Sequence, residues 1–247
     1  MTSRELVMKA FAHEESDRVP CWCGASPAFW DKAKASFGLG DEALSRRLGD
    51  DFRRLVAPWR GPASPLSPGA TSRGPFGVER SGVGGGQAMS HPLARVASRG
   101  AILGYPWPDP ADVDVSGLRA AAAAWGGEFA VLGGDWSPLW HDAIDLIDMG
   151  HGRGMKVMLH CCGGFRPLIP LMLRDGIDAL HALRPNCAGM EMRALKRDFG
   201  SRILLNGGID SQRVLIEGDP AFVREETLRT LAVMAPGGGY VAGASHD

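Results

Sequence analysis

KVMLHCCGG, residues Lys156–Gly164, is a short apolar run that leads into His160, Cys161 and Cys162 and stops at two glycines. An apolar run of this length, bounded by glycine, predicts a strand that is buried on both faces in a parallel sheet. His160 and Cys162 are two residues apart, so their side chains point to the same side of an extended chain. An imidazole and a thiol that converge at a strand end are typical of one half of a zinc site. A core cysteine beside a hydrogen-bonded core histidine is the alternative that the spacing leaves open.

The second half of the chain repeats this alternation of apolar runs and helical patterns. In chain order, the apolar runs are Glu128–Gly134, Lys156–His160, Asp178–Leu183, Arg202–Asn206 and Gly239–Ala244. The helical patterns between them are Leu139–Met149, Phe165–Arg174, Met190–Phe199 and Pro220–Met234. Strands and helices that alternate at this spacing predict a parallel sheet that is covered by helices.

The first half of the chain is less regular. It contains two more strand candidates, Arg18–Cys23 and Asp51–Pro58. Between them and the regular half lies Gly61–Gln87, whose many Gly, Pro and Ser residues predict a long loop or a loosely paired hairpin. A run of alanines after two prolines predicts one helix over Pro108–Ala124.

Length and composition limit the class of protein. At 247 residues, with 45% hydrophobic and 22% charged residues, the chain is long enough for a sizeable core. We expect a single domain over residues 1–247, with a helical and Gly/Pro-rich part over 1–127 and regular βα repeats over 128–247. The net charge of −1 argues against the basic face of a nucleic-acid-binding protein. Five cysteines, an odd number in a long chain, argue against a disulfide framework.

The sequence shows no sign of membrane insertion or export. No apolar run reaches the length of a membrane span, and the first residues, MTSRELVMKAF, lack the apolar core of a signal peptide. We therefore expect a cytoplasmic protein that binds a small-molecule substrate and neither a membrane nor nucleic acid.

Polar side chains follow the predicted strands at the points where the strands end. In a (β/α)8 barrel, the chemistry lies at this rim. The rim candidates are Asp135, His160, Cys162, Arg184, Asn186, Cys187, Asn206, Asp210 and His246. Two of them have simpler roles open to them, since Asp210 can cap the helical pattern that begins at Ser211 and Arg184 can pair with a carboxylate.

Three blocks of the sequence, in order, resemble the uroporphyrinogen decarboxylase superfamily. They are RELVMKAFAHEESDRVP (Arg4–Pro20), HPLARVASRGAILGYPWPDPADVD (His91–Asp114) and the closing half from HCCGG to GGGYVAGASH (His160–His246). The resemblance implies an α/β fold of the (β/α)8 TIM-barrel type. Only seven strand candidates are present, so we expect the barrel to lack about one βα unit, between Gly134 and Pro138. An open barrel edge favours self-association, so a homo-oligomer is expected.

Within this superfamily, the chain is closer to the corrinoid-linked methyltransferases. The resemblance implies that a His-x-Cys at a strand end and a later Cys bind zinc, and His160 and Cys162 match the first two. The later Cys is missing, because the corresponding end reads VAGASH. Cys187 lies at the end of the next strand, about 5 Å away across the sheet, and is the predicted third ligand, with His246 and Cys23 as other candidates. The implied reaction is a zinc-assisted methyl transfer between a corrinoid, free or on a partner protein, and a thiol or other small substrate.

Two other functions stay open. One is decarboxylation of a tetrapyrrole, for which the resemblance implies a role for His246 and Asp135. Decarboxylases of the superfamily carry an arginine-rich segment after the first strand, and CWCGASPAFW (Cys21–Trp30) has no arginine. The other is an inactive or truncated relative that keeps only a ligand pocket. In each case Arg184, Asn186, Asn206 and Asp210 are predicted to contact the substrate.

Overall fold

The computed structural model describes residues 1–82, 87–94, 98–133 and 147–246. Its strands, in chain order, are β1 (Cys21–Trp22), β2 (Phe52–Leu55), β3 (Ser72–Arg73), β4 (Glu79–Ser81), β5 (Gln87–Ala88), β6 (Ala130–Gly133), β7 (Met158–His160), β8 (Ala179–Leu183), β9 (Leu204–Ile209) and β10 (Tyr240–Ala244). The helices are Ser3–Phe11, Pro27–Phe37, Asp41–Leu48, Arg99–Leu103, Leu118–Trp125, Ile169–Arg174, Met192–Phe199 and Pro220–Met234, and 147–151 is also helical. Shorter helical segments are Pro110–Asp112, Arg166–Leu168 and Ser211–Ile216.

The central feature is a parallel sheet with the strand order β1-β10-β9-β8-β7. A second parallel pair, β2-β6, lies beside its β1 edge, because the Asp51 N–H donates to the Cys21 carbonyl at 3.0 Å. These seven parallel strands of the described residues correspond to the seven segments that the sequence predicts, although β9 continues to Ile209, past the predicted end at Asn206. The α/β class with a parallel sheet is therefore confirmed. The predicted loss of a βα unit falls at residues 134–146, outside the described residues, and stays a prediction.

Both faces of the parallel sheet are buried. On one face, helix residues such as Ile169 and Leu195 pack on Leu205 of β9. On the other face, Leu204 of β9 packs with Val7 of the first helix. Consecutive residues of one strand thus enter opposite cores, as the two-residue period of a strand requires. In a strand that is buried on both faces, the desolvation cost of a polar side chain is lowest near the strand ends. The candidate site is therefore expected at one rim of the sheet.

Two parts of the first half differ from the sequence prediction in detail. The Gly/Pro-rich segment contains the antiparallel three-stranded sheet β3-β4-β5, which extends the predicted hairpin. The prediction of one helix over Pro108–Ala124 is wrong, because the chain between Pro110–Asp112 and Leu118–Trp125 is extended at Val113 and then turns. There Val113 forms an isolated bridge with Trp59, and the Asp114 N–H donates to the Pro58 carbonyl at 2.9 Å. The alanines themselves are helical within Leu118–Trp125, and this long-range pairing prevents the helix from continuing back to Pro108.

The junction of the two parallel sheets is stabilised by a buried carboxylate. Asp51, with no exposed surface, accepts hydrogen bonds from both terminal nitrogens of the Arg18 guanidinium at 2.6 and 2.5 Å. It also accepts one from the Cys21 N–H of β1 at 2.7 Å. A carboxylate that is bound by three donors in this way ties the first strand to the second.

We predict that Asp51→Ala destabilises the fold by about 2–3 kcal/mol, because it leaves a buried N–H and a half-exposed guanidinium without their acceptor. Denaturant unfolding followed by circular dichroism measures this change. Asp17→Ala is the matched control, since Asp17 is exposed and its nearest cation, the terminal amine, is 3.9 Å away. A control effect of about 0.5 kcal/mol or less is expected. Equal effects of the two substitutions would contradict the proposed role of Asp51.

Candidate functional site

The His-x-Cys pair lies where β7 ends. His160 is the last residue of β7, and Nε2 of its ring is 3.2 Å from the Sγ atom of Cys162. The two side chains therefore converge, as their spacing predicts. Cys162 is exposed and His160 is half-buried, so the sulfur faces solvent while the imidazole is anchored in the sheet.

A second histidine supports the first from the neighbouring strand. Nδ1 of His160 is 2.8 Å from Nδ1 of His181, which lies opposite His160 in the β7–β8 pairing. His181 is only 4% exposed, and its ring meets the Trp22 ring edge-on at a centroid distance of 4.8 Å. Sequence reasoning missed His181. The available signal was an ionisable residue in the middle of the apolar run ALHAL (Ala179–Leu183).

His246 is the third histidine of this rim. Its ring centroid lies 6.3 Å from that of His160, and its side chain is exposed. The backbone beneath it is fixed, since the His246 carbonyl accepts from the Ser211 hydroxyl at 3.2 Å and the Ser245 N–H donates to the Ile209 carbonyl at 2.7 Å. The structure thus brings three predicted catalytic residues, His160, Cys162 and His246, to one place. The fourth, Asp135, lies outside the described residues.

Two of the predicted substrate-binding residues, Asn186 and Asp210, bind each other. The Asn186 amide donates to Asp210, whose second oxygen caps the segment Ser211–Ile216 by accepting from two of its N–H groups at 2.8 Å. Together with Arg213 they line a cavity of about 140 Å³ at the rim. The capping role that the sequence left open for Asp210 is therefore present, and substrate binding by this pair stays a prediction.

The other two predicted substrate-binding residues differ in exposure. Asn206 is completely buried in the middle of β9, and its amide nitrogen is 3.8 Å from the Met158 sulfur. Arg184 is half-buried at the turn that follows β8, where its carbonyl accepts from the Cys187 N–H at 3.2 Å. Arg184 is therefore closer to solvent than Asn206, and contact of either with a substrate stays a prediction.

The remaining thiols lie in apolar or buried surroundings. Cys187 packs against the helix-side core. Cys23 contacts the Leu48 carbonyl at 3.8 Å, and burial raises the pKa of its thiol to about 12, which keeps it protonated at neutral pH. Within the described residues, no group of three His, Cys, Asp or Glu side chains is placed to hold a metal ion. Cys187 is not gathered with His160 and Cys162 in such a group, and zinc binding stays a prediction.

The described segments also contain no helix with the length and apolar character needed to cross a membrane.

Comparison with known proteins supports the resemblance. Residues 141–247 match the family model described as uroporphyrinogen decarboxylase (URO-D). A solved structure described as a methyltransferase from Methanosarcina mazei is similar in fold, with a TM-score of 0.54 and 16% sequence identity. The superposition covers 100% of this chain and 93% of that one. No curated protein matches the sequence significantly. The TIM-barrel-like α/β fold and the likeness to the URO-D superfamily are thus confirmed.

We predict that Cys162 is the thiol that alkylating agents modify first. It is exposed and next to an imidazole, whereas burial raises the pKa values of the Cys21 and Cys23 thiols. In protein freed of metal by a chelator, iodoacetamide at neutral pH should modify Cys162 at least about tenfold faster than Cys23, because the thiolate is the reacting form. Peptide mass spectrometry measures the two rates in one sample. Faster reaction of Cys23 would contradict the geometry of the site.

Proposed function

From the URO-D match of residues 141–247, we propose that the chain is a methyltransferase-type enzyme of that superfamily whose reactive centre is the His160–Cys162 pair. The observation that carries the proposal is the 3.2 Å distance between Nε2 of His160 and Sγ of Cys162 at the end of a parallel strand. Enzymes of the barrel class place their reacting groups at this end of the strands. An exposed thiol beside an imidazole can lose its proton to that base, and the thiolate is the form that reacts as a nucleophile or binds a metal.

The pair has the right chemistry for two ligands of a zinc ion. Zinc bonds of about 2.0 Å to nitrogen and about 2.3 Å to sulfur at a tetrahedral angle put the two ligand atoms about 3.5 Å apart. The distance between Nε2 and Sγ is 3.2 Å, so a small side-chain rotation would admit the metal. A catalytic zinc site also needs a third protein ligand.

We propose His246 as this third ligand, ahead of Cys187. Two imidazoles that share a zinc ion have ring centroids about 5 Å apart by the same bond lengths. The centroids of His160 and His246 are 6.3 Å apart, so coordination would require the two rings to approach by about 1 Å. Cys187 packs instead among apolar side chains of the core.

The proposed reaction joins a methyl group to the sulfur of a small thiol substrate. Bound zinc would lower the pKa of that thiol, so that its proton is released to solvent. His160, Cys162 and His246 would supply the zinc ligands, and the chain would orient the substrate on the exposed side of Cys162. The substrate sulfur would then form a bond to the methyl carbon while the bond between the methyl group and the methyl donor breaks. The electron pair of the broken bond stays with the methyl donor.

A corrinoid, free or on a partner protein, is the methyl donor that we propose. The support is the likeness of the closing half to corrinoid-linked methyltransferases, together with the exposure of Cys162 and His246. A bulky donor needs such an open approach to the reacting sulfur. Because Cys162 is exposed, the pair presents its sulfur side, not its imidazole side, to a molecule that arrives from solvent.

Decarboxylation of a tetrapyrrole is less well supported. Decarboxylases of the superfamily, whose substrate has many carboxylates, carry arginines after the first strand. The residues directly after β1 are Cys23, Gly24 and Ala25, none of them cationic. Arg18 precedes β1 and is bound to the buried Asp51, so it lies toward the other end of the strand.

We predict about one equivalent of zinc per chain in freshly purified protein, and its loss in Cys162→Ser and His160→Ala. Cys161→Ser is the matched control, since Cys161 packs against the core and does not face the pair. Metal analysis measures the zinc, and methyl transfer from methylcobalamin to small thiols is followed by the visible spectrum. Full activity in protein that lacks zinc would reject the metal. Zinc binding without any transfer would favour an inactive relative, and carbon dioxide release from uroporphyrinogen would favour the decarboxylase.

A further inference from the structure

His181 is a buried ionisable residue that the proposed reaction does not use directly. It lies in β8 with 4% of its surface exposed, so no substrate at the rim can reach it. Its neighbours in the strand, Leu180 and Ala182, are completely buried. Placing an imidazole in such surroundings is costly unless its hydrogen bonds are made. The 2.8 Å contact between Nδ1 of His181 and Nδ1 of His160 is one of these bonds.

The backbone of β8 is distorted at this position. The pairing of β8 with β9 shifts register between Leu180 and Leu183, which is a bulge that contains His181. The next residue, Ala182, has a φ of 64°, in the left-handed region that alanine rarely adopts. Bulges redirect side chains, and backbone strain of this kind costs of order 1–3 kcal/mol. The strained residue, Ala182, directly follows His181, whose ring faces His160.

A hydrogen bond between two Nδ1 atoms contains one proton, and the chemistry of Cys162 decides which ring carries it. If Nε2 of His160 accepts the proton of the Cys162 thiol or binds a metal, the neutral ring must carry its own proton on Nδ1. If the thiol proton has moved to His160, both ring nitrogens are protonated. In each of these three states Nδ1–H of His160 donates and Nδ1 of His181 accepts, whereas a neutral His160 with its proton on Nε2 would reverse the bond.

We propose that His181 is a positioning residue, which accepts a hydrogen bond from Nδ1–H of His160 and thereby directs the Nε2 atom of His160 at Cys162. The edge of the Trp22 ring and the bulge hold His181 in place for this role. The inference rests on the proposed function only for the identity of the reaction in which Cys162 takes part. The orienting contact itself is argued from the geometry of the two histidines. Partners that orient a reactive or metal-binding histidine are usually carboxylates or carbonyls, and here a second imidazole takes that position.

The test compares His181→Asn, His181→Gln and His181→Leu in the full chain, after removal of metal by a chelator. Asn places an acceptor where Nδ1 of histidine lies, Gln places its amide where Nε2 lies, and Leu has no acceptor. The readout is the rate at which iodoacetamide modifies Cys162, relative to Cys187 in the same sample. We expect a near wild-type ratio for Asn and a loss of about tenfold or more for Gln and Leu, the scale typical of lost orienting partners. A merely structural role predicts equal ratios in all three variants, or equal losses in Asn and Leu, and either result overturns the proposal.

A measurement on the wild-type protein decides the matter if the Gln and Leu variants do not fold. Long-range proton–nitrogen NMR spectra of the histidine rings report which nitrogen is protonated, and His160→Ala identifies the His160 signals. We expect a proton on Nδ1 of His160, and a ring protonated on Nε2 alone would overturn the proposal. Alkylation needs no methyl donor, so absence of methyl transfer together with the expected Asn–Leu difference rejects the proposed function and leaves the role of His181 intact.

Discussion

The carboxylate of Asp178 sets the register on which the candidate site depends. It precedes β8 and accepts hydrogen bonds from the Val157 N–H at 2.8 Å and the Lys156 ammonium at 2.8 Å. The Asp178 N–H donates in return to the Val157 carbonyl at 3.0 Å. This reciprocal contact aligns the starts of β7 and β8. Because strand side chains alternate with a period of two, a slip of one residue would turn the imidazole of His160 toward the opposite core.

The register has its consequence at the other end of the same two strands. With Met158 opposite Ala179, His160 comes to lie opposite His181. The apolar residues of β7 and β8 between Asp178 and the histidines pack into both cores, and this close packing restricts movement of the two strands. The positions of the reacting atoms are thus determined by packing and by one charged contact about three residues away.

The sequence predicts most of the helices and strands but few of the contacts between them. The helix Pro220–Met234 is found with its predicted bounds, because Asp219 caps it and Pro220 occupies its first turn, both of which are local signals. The convergence of His160 and Cys162 is likewise local, since it follows from strand geometry. The contact of His160 with His181 depends on the register of two segments 21 residues apart, and no local pattern contains that register.

Other features escape sequence reasoning for the same physical reason. The extended chain at Val113 results from its pairing with Trp59, and the raised pKa of the Cys23 thiol results from burial beside the helix Asp41–Leu48. Both contacts join segments that are distant in the chain. Spacing alone makes Cys23 a possible ligand, and only the packing shows a protonated thiol directed at the Leu48 carbonyl. Residue type therefore identifies candidates, while tertiary burial selects among them.

The site combines a rigid interior with a reactive exterior. Exposure increases from His181, which is nearly buried, through the half-buried His160 to the exposed Cys162. A hydrogen bond in low-dielectric surroundings is stronger than one in water, so the support of the His160 ring is best placed deep in the sheet. The sulfur must be reached by other molecules, so it is best placed at the surface. A strand that leaves the core at its carboxyl end meets both requirements within three residues, and the β7 segment does so between His160 and Cys162.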